Sequence, residues 1–179
     1  MKRVSLILVL LLMTSAFTTR ICHPQAKPQP DPGIRVDTEK YQPAGVLVGE
    51  QVIRSGDRLP IIWGFLGPPD KIWSMRGKKT KDDDYVKLDY FSYGFSVDVA
   101  NNTNQVKGIL VEENNVSTRM VNCPFRIGQD ISQVTASWGD PEKQVGNTLA
   151  YWRRGVYIGL TDDNKVKYLF FTYPGEFDE

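Results

Sequence analysis

Two hydrophobic periods alternate along this chain, and they do so twice in the same order. Leu59, Ile62, Trp63 and Leu66 stand at i, i+3, i+4 and i+7, the spacing of one apolar helix face. Val86, Leu88 and Tyr90 then alternate with Lys87 and Asp89, and Phe95, Val97 and Val99 alternate with Ser96 and Asp98. A period of two marks strands with one buried face. Gly94 separates the two runs, where a tight hairpin needs a positive φ angle. A polar turn at 101–105 leads into a further strand over 106–111.

On the second pass Ile131, Val134 and Trp138 repeat the helical stripe. Asp130 and Gln133 are spaced as a capping box, which satisfies free N–H groups at a helix start. Gly67 and Gly139 close the two helices, because glycine takes the left-handed closing conformation without steric cost. Pro69 and Pro141 prevent continuation. Leu149 and Tyr151, a turn through Arg153, Arg154 and Gly155, and the run Val156, Ile158 and Leu160 reproduce the hairpin. A last strand is predicted over 166–173.

The correspondence holds at constant offsets. Gly56, Leu59, Ile62, Leu66, Gly67, Pro69 and Lys71 return seventy-two residues on as Gly128, Ile131, Val134, Trp138, Gly139, Pro141 and Lys143. Leu88, Tyr90, Gly94, Phe95 and Val97 return sixty-one residues on as Leu149, Tyr151, Gly155, Val156 and Ile158. The change of offset leaves eleven extra residues in the first copy and predicts a projecting charged loop near 72–85. Self-similarity at a fixed period marks internal duplication. The expected fold is therefore α+β, two tandem repeats, each a short helix-turn-helix packed on an antiparallel sheet. Their expected bounds are 45–113 and 125–174, with a linker at 114–124 and a tail at 175–179. Units this small bury little core alone, so the two are expected to pack together.

The spacing Gly-x5-Val-x3-[Leu/Trp]-Gly-x-Pro, as in Gly128, Val134, Trp138, Gly139 and Pro141, resembles the signature of the SmpA/OmlA (BamE-like) envelope lipoproteins. A tandem of such units is similar to the β-lactamase-inhibitor-protein-like fold. The resemblance spans 46–173 and implies an envelope scaffold or assembly factor, or else a secreted inhibitor of a hydrolase. Its glycines and prolines are backbone punctuation, which carries fold further than function. The first copy departs from the pattern, with Arg58 and Pro60 where the family offers a hydroxyl cap. The lipidation site of the lipoproteins and the paired cysteines of the inhibitor are missing.

Lys2 and Arg3, the apolar run at 4–13 and the small residues Thr14, Ser15 and Ala16 read as a secretory signal over 1–16. The run is shorter than the roughly 20 residues a membrane-spanning helix needs, so no span is expected after processing. Localisation is expected to be periplasmic or extracellular, or attached to the envelope. Cys22 follows Thr19, Arg20 and Ile21, and the arginine argues against lipidation there. Residues 17–44, rich in proline, read as a flexible tether. Among 179 residues, 41% are hydrophobic and the formal charge is +1, which gives no basic footprint for nucleic acid.

The single histidine, His23, lies outside both copies, so neither a Ser-His-Asp triad nor a multi-histidine metal site can form in them. Cys123 has no histidine partner there and reads as a buried inert thiol. Asp82, Asp83 and Asp84 follow lysines in the extra loop, and Asp162 and Asp163 fit a strand-connecting turn. No catalytic site, cofactor or metal is expected, and an enzyme built on carboxylates alone is the third reading. Aromatic residues on the wrong face are what remains. If Leu88, Tyr90, Leu149 and Tyr151 point to the core, alternation turns Phe91, Trp152 and Tyr157 outward. Phe91, Tyr93, Trp152, Arg153, Tyr157 and Phe171 are the candidate protein-binding residues, of types that anchor interfaces. Gly67, Pro69, Gly94, Gly139, Pro141 and Gly155 are the structural ones. The expected partner is another protein, an envelope component or a hydrolase that loops such as Arg153-Arg154 enter.

Overall fold

The computed structural model describes residues 42–77, 80 and 83–175. The predicted export signal, Cys22, His23 and the tether up to residue 41 lie outside the described residues. Within them the first half runs β1 (Gly45–Val48), β2 (Gln51–Arg54), α1 (Leu59–Leu66), β3 (Lys71–Met75), β4 (Tyr85–Tyr90), β5 (Phe95–Ala100) and β6 (Val106–Val111). A connecting strand, β7 (Thr118–Val121), leads to α2 (Ile131–Trp138), β8 (Lys143–Val145), β9 (Thr148–Tyr151), β10 (Val156–Leu160) and β11 (Val166–Phe171).

Eight strands form one antiparallel sheet in the order β3-β4-β5-β6-β11-β10-β9-β8, and a second sheet holds β2-β1-β7. The large sheet is continuous because β6 pairs with β11 through Ile109↔Phe171, Leu110↔Phe170 and Val111↔Leu169. Its strand order reads the same outward from that junction in both directions. One face is apolar: Leu88, Val97, Ile109, Val111, Ile158, Leu169 and Phe171 are all fully buried. They share one core with Ile62 of α1, Val134 of α2, and Val46 and Ile53 of the small sheet. The helices and the small sheet thus form the second layer on that face.

This overturns the expected α+β fold of two helix-turn-helix repeats: the described residues are mostly β, with two short helices against an eight-stranded and a three-stranded sheet. Each half has one eight-residue helix, and edge strand β3 or β8 follows it. The reason is exposure. All residues of β3 and β8 are solvent-exposed, so these strands carry no buried–polar alternation to betray them. Part of the predicted charged loop is therefore strand, with Ile72↔Leu88 and Trp73↔Lys87 in register. The expected linker contains β7, which pairs with β1. Ala44, assigned to the tether, is 1% exposed and belongs to the core.

Bond for bond, the halves hold their helices alike. The Gly56 N–H donates to the Val106 carbonyl at 2.8 Å and Gly128 N–H to Val166 at 2.7 Å. Leu59 N–H donates to Asn104 at 2.9 Å and Ile131 N–H to Asn164 at 3.0 Å. Asn104 and Asn164 adopt φ of 54° and 57°, a left-handed conformation asparagine tolerates. The helix starts differ. Arg58 makes no side-chain cap, whereas Asp130 Oδ1 accepts from Ser132 N–H at 2.8 Å. Gln133 does not complete a capping box; its side chain accepts from Gln129 instead.

Both helices end on glycine, with φ/ψ of 77°/−166° at Gly67 and 78°/−167° at Gly139. That region is essentially reserved for glycine. The Tyr90 hydroxyl donates to the Gly67 carbonyl at 3.4 Å and Tyr151 to Gly139 at 2.8 Å. A Cβ at either glycine meets nothing within 4 Å, so the penalty of alanine is conformational alone. Gly139→Ala is expected to destabilise the fold by about 1–3 kcal/mol in a denaturant titration; a neutral effect would contradict the helix-end geometry.

Candidate functional site

The structure scatters the predicted binding residues. Phe91 and Trp152 do not continue β4 and β9. They open 3-10 turns, Phe91–Tyr93 and Trp152–Arg154, which close the hairpins at Gly94 (φ 72°) and Gly155 (φ 66°). These turns reset the alternation on which the outward assignment rested. In addition, β4 and β9 run in opposite directions, because an odd number of antiparallel steps separates them. Their turns therefore lie at opposite ends of the sheet and cannot form one patch.

Phe171 is a misread core residue, 0% exposed beside the β6–β11 junction. Tyr93 packs against Tyr90 and Phe95, and its carbonyl accepts from the Thr118 hydroxyl at 2.7 Å. Trp152 is half-buried, with the Arg153 guanidinium 5.5 Å from its ring centroid. Arg154 folds back over Trp138 at 4.5 Å. Among the predicted binding aromatics, only Phe91, 58% exposed, stands clear of the fold. Phe171→Ala is expected to lower stability by about 3–5 kcal/mol, read as a thermal shift; an unchanged midpoint would return Phe171 to the surface.

On the open face of the large sheet one row crosses every strand: Lys71, Asp89, Ser96, Leu110, Phe170, Tyr157, Ala150 and Lys143. Glycines make room on this face. A Cβ at Gly159 would collide with the Tyr168 ring, and one at Gly108 with the Phe170 ring. Tyr168 lies across Gly159, its hydroxyl 2.9 Å from Thr148 Oγ1. Phe170 meets Tyr157 with ring centroids 6.3 Å apart. These aromatics are half-buried by each other and by the glycine backbone.

Polar groups gather on the β3 side of that face. Trp73 Nε1 donates to Asp89 Oδ2 at 2.6 Å, and Lys87 Nζ lies 3.8 Å from Asp89 Oδ1. Ser96 Oγ is buried without a hydrogen-bond partner. Burial pushes the Asp98 carboxyl up to about 6, against the pull of Lys87 and Lys107 and with a further push from Asp89. Among the described residues no group of His, Cys, Asp and Glu could hold a metal. Cys123 is a free, buried thiol that burial raises to about 12, which leaves it protonated and unreactive at neutral pH.

The raised Asp98 value has a sign. The folded state holds this proton more tightly than the unfolded chain, whose carboxyl titrates near 3.8. Its contribution is therefore complete below pH 4 and is lost as the pH rises through about 6. Asp98→Asn is expected to stabilise the fold by about 1–3 kcal/mol at pH 7 and much less at pH 4. Thermal melts across that range decide it, and a gain independent of pH would refute the assignment.

Large exposed apolar residues concentrate at the β3 end. Ile61 is 64% exposed, Trp63 46%, Ile72 60%, Trp73 48% and Met75 38%, with Phe91 beside them. Lys71 Nζ bridges the last two aromatics, 5.4 Å from the Trp73 ring and 5.6 Å from Phe91. The other half is an internal control. At the positions equivalent to Ile61, Trp63, Phe65 and Ile72 it carries Gln133, Thr135, Ser137 and Gln144. A helix that is apolar all round is ordinarily buried, yet only Ile62 of α1 is. Sequence reasoning missed this surface, although comparing α1 with α2 position by position exposes it.

No family model, curated protein or solved structure matches this chain. The likeness to the SmpA/OmlA lipoproteins rests on motif spacing alone. Among the described residues no helix is long and apolar enough to cross a membrane.

Proposed function

We propose that this chain is an exported, non-catalytic protein-binding module of the envelope, and that it binds through the α1–β3 end. One observation carries the reading. Two halves with matching helix anchoring differ in surface polarity at equivalent positions, and the apolar version stands in solvent. Selection for folding alone gives no reason to place Ile61, Trp63 and Ile72 where Gln133, Thr135 and Gln144 serve. Large apolar residues left exposed at one end of a fold mark interaction sites.

Further features suit the role. Trp73 is held in place by Asp89 and Lys71, so little freedom is lost when a partner covers it. Edge strand β3 presents backbone groups with no strand beside them among the described residues, which adds main-chain recognition. The signal at 1–16 supports an exported location, and the motif spacing supports an envelope scaffold or assembly role. The single histidine outside both halves supports a role without catalysis.

The test is site-specific photo-crosslinking in expressing cells, with a crosslinker at 61 or 73 and, as controls, at 133 or 145. Protein adducts are expected from the first pair and not from the second. Equal yields from all four positions would remove the α1–β3 end as the binding surface.

A further inference from the structure

The occupant of this surface can be named by its chemistry. Resting on the binding role proposed for the α1–β3 end, we infer that the partner is a second copy of this chain, with the two β3 strands pairing antiparallel about a two-fold axis at Trp73.

Self-complementarity carries the argument. In an antiparallel pair centred on Trp73, Ile72 faces Ser74 of the second copy and Lys71 faces Met75. Asp70 then faces Arg76 of the second copy, and Arg76 faces Asp70, which sets opposite charges together at both ends of the strand. Asp70 is exposed, although its Oδ2 accepts from Phe91 N–H at 2.8 Å, and the Arg76 side chain is 74% exposed while it touches Asp84 at 3.5 Å. The two Trp73 side chains meet directly across the axis, where aromatic cross-strand pairs are favourable. On the helix side, Ile72 of each copy lies beside Ser74 of the other.

Area and closure agree with a dimer. Aromatic side chains bury about 150–250 Å² each, so Trp63, Trp73 and Phe91, roughly half exposed, offer about 300 Å² of apolar surface per copy, to which Ile61, Ile72 and Met75 add. A standard interface buries about 800 Å² per partner, which leaves the charged pairs and strand backbone to supply the rim. The opposite edge, β8, has only three residues, Lys143, Gln144 and the exposed Val145. One self-complementary edge and one short edge with a single apolar side chain give a closed two-fold dimer, whereas two long apolar edges would propagate. The contact also repeats, between copies, the antiparallel junction that β6 and β11 form within one copy.

Sedimentation equilibrium on the protein as purified from expressing cells tests this, with circular dichroism to verify folding of each variant. The wild type is expected to be dimeric. Ile72→Lys and Arg76→Asp should each raise the dissociation constant at least about tenfold, because both positions are exposed and neither supports the core. Val145→Lys, on the β8 edge, should leave the dimer intact. Combining Asp70→Arg with Arg76→Asp should restore association, an outcome that no loss of folding can imitate. A wild type that stays monomeric at all concentrations overturns the dimer, as does a dimer indifferent to Ile72→Lys. If crosslinks from positions 61 and 73 then reach a different chain, the binding role stands without self-association; if they reach nothing, both readings fall.

Discussion

Every other feature of this fold depends on the pairing of β6 with β11. Ile109, Val111, Leu169 and Phe171 meet there at 0–1% exposure. Split at this junction, each half would present an unpaired strand edge and bare its most deeply buried side chains. A unit of about 60 residues has little other core to fall back on. The junction makes one sheet from two similar halves, and a single sheet with one apolar face needs only one covering layer. The helices and the small β2-β1-β7 sheet provide that layer.

The two faces of the sheet solve different problems. On the covered face, alternating Val, Ile, Leu and aromatic side chains fill space against Ile62 and Val134. On the open face there is no second layer, and aromatic rings lie flat over Gly108 and Gly159 instead. The glycines give up side-chain packing so that Phe170 and Tyr168 can shield the backbone from water. Asp89, Ser96 and Asp98 occupy the same face under partial cover, which explains why Asp98 holds its proton so strongly.

Similar frames leave function to the differences between halves. The shared anchors are the glycine helix ends, the tyrosine hydroxyls bonded to them and the left-handed asparagines, and these have no freedom to vary. Surface positions do. The first half uses that freedom to expose apolar residues along α1 and β3, while the second half carries Gln133, Thr135 and Gln144 at the matching positions and exposes one large apolar residue on β8, Val145. A surface defined by contrast within one molecule needs no outside comparison to be recognised.

Local chemistry along the chain determined the inward-facing strands, the hairpin glycines, both helix positions and the constant offsets between halves. Those features arise from interactions among near neighbours: side-chain period, positive φ and the missing N–H of proline. Edge strands β3 and β8 were not legible, because a strand exposed on both faces has no period to read. Phe91 is exposed as expected, but it and Trp152 open 3-10 turns rather than continue their strands, and such a turn shifts every following side chain, which leaves Trp152 half-buried. Phe171 went to the wrong face because alternation relates residues within a strand but does not say which set is covered. Tertiary structure alone decided that β6 would find β11, that one face would receive both helices, and that the α1–β3 end would remain open. Each of those outcomes turns on contacts between residues far apart in sequence, whose pairing is set by which apolar surfaces exclude water together.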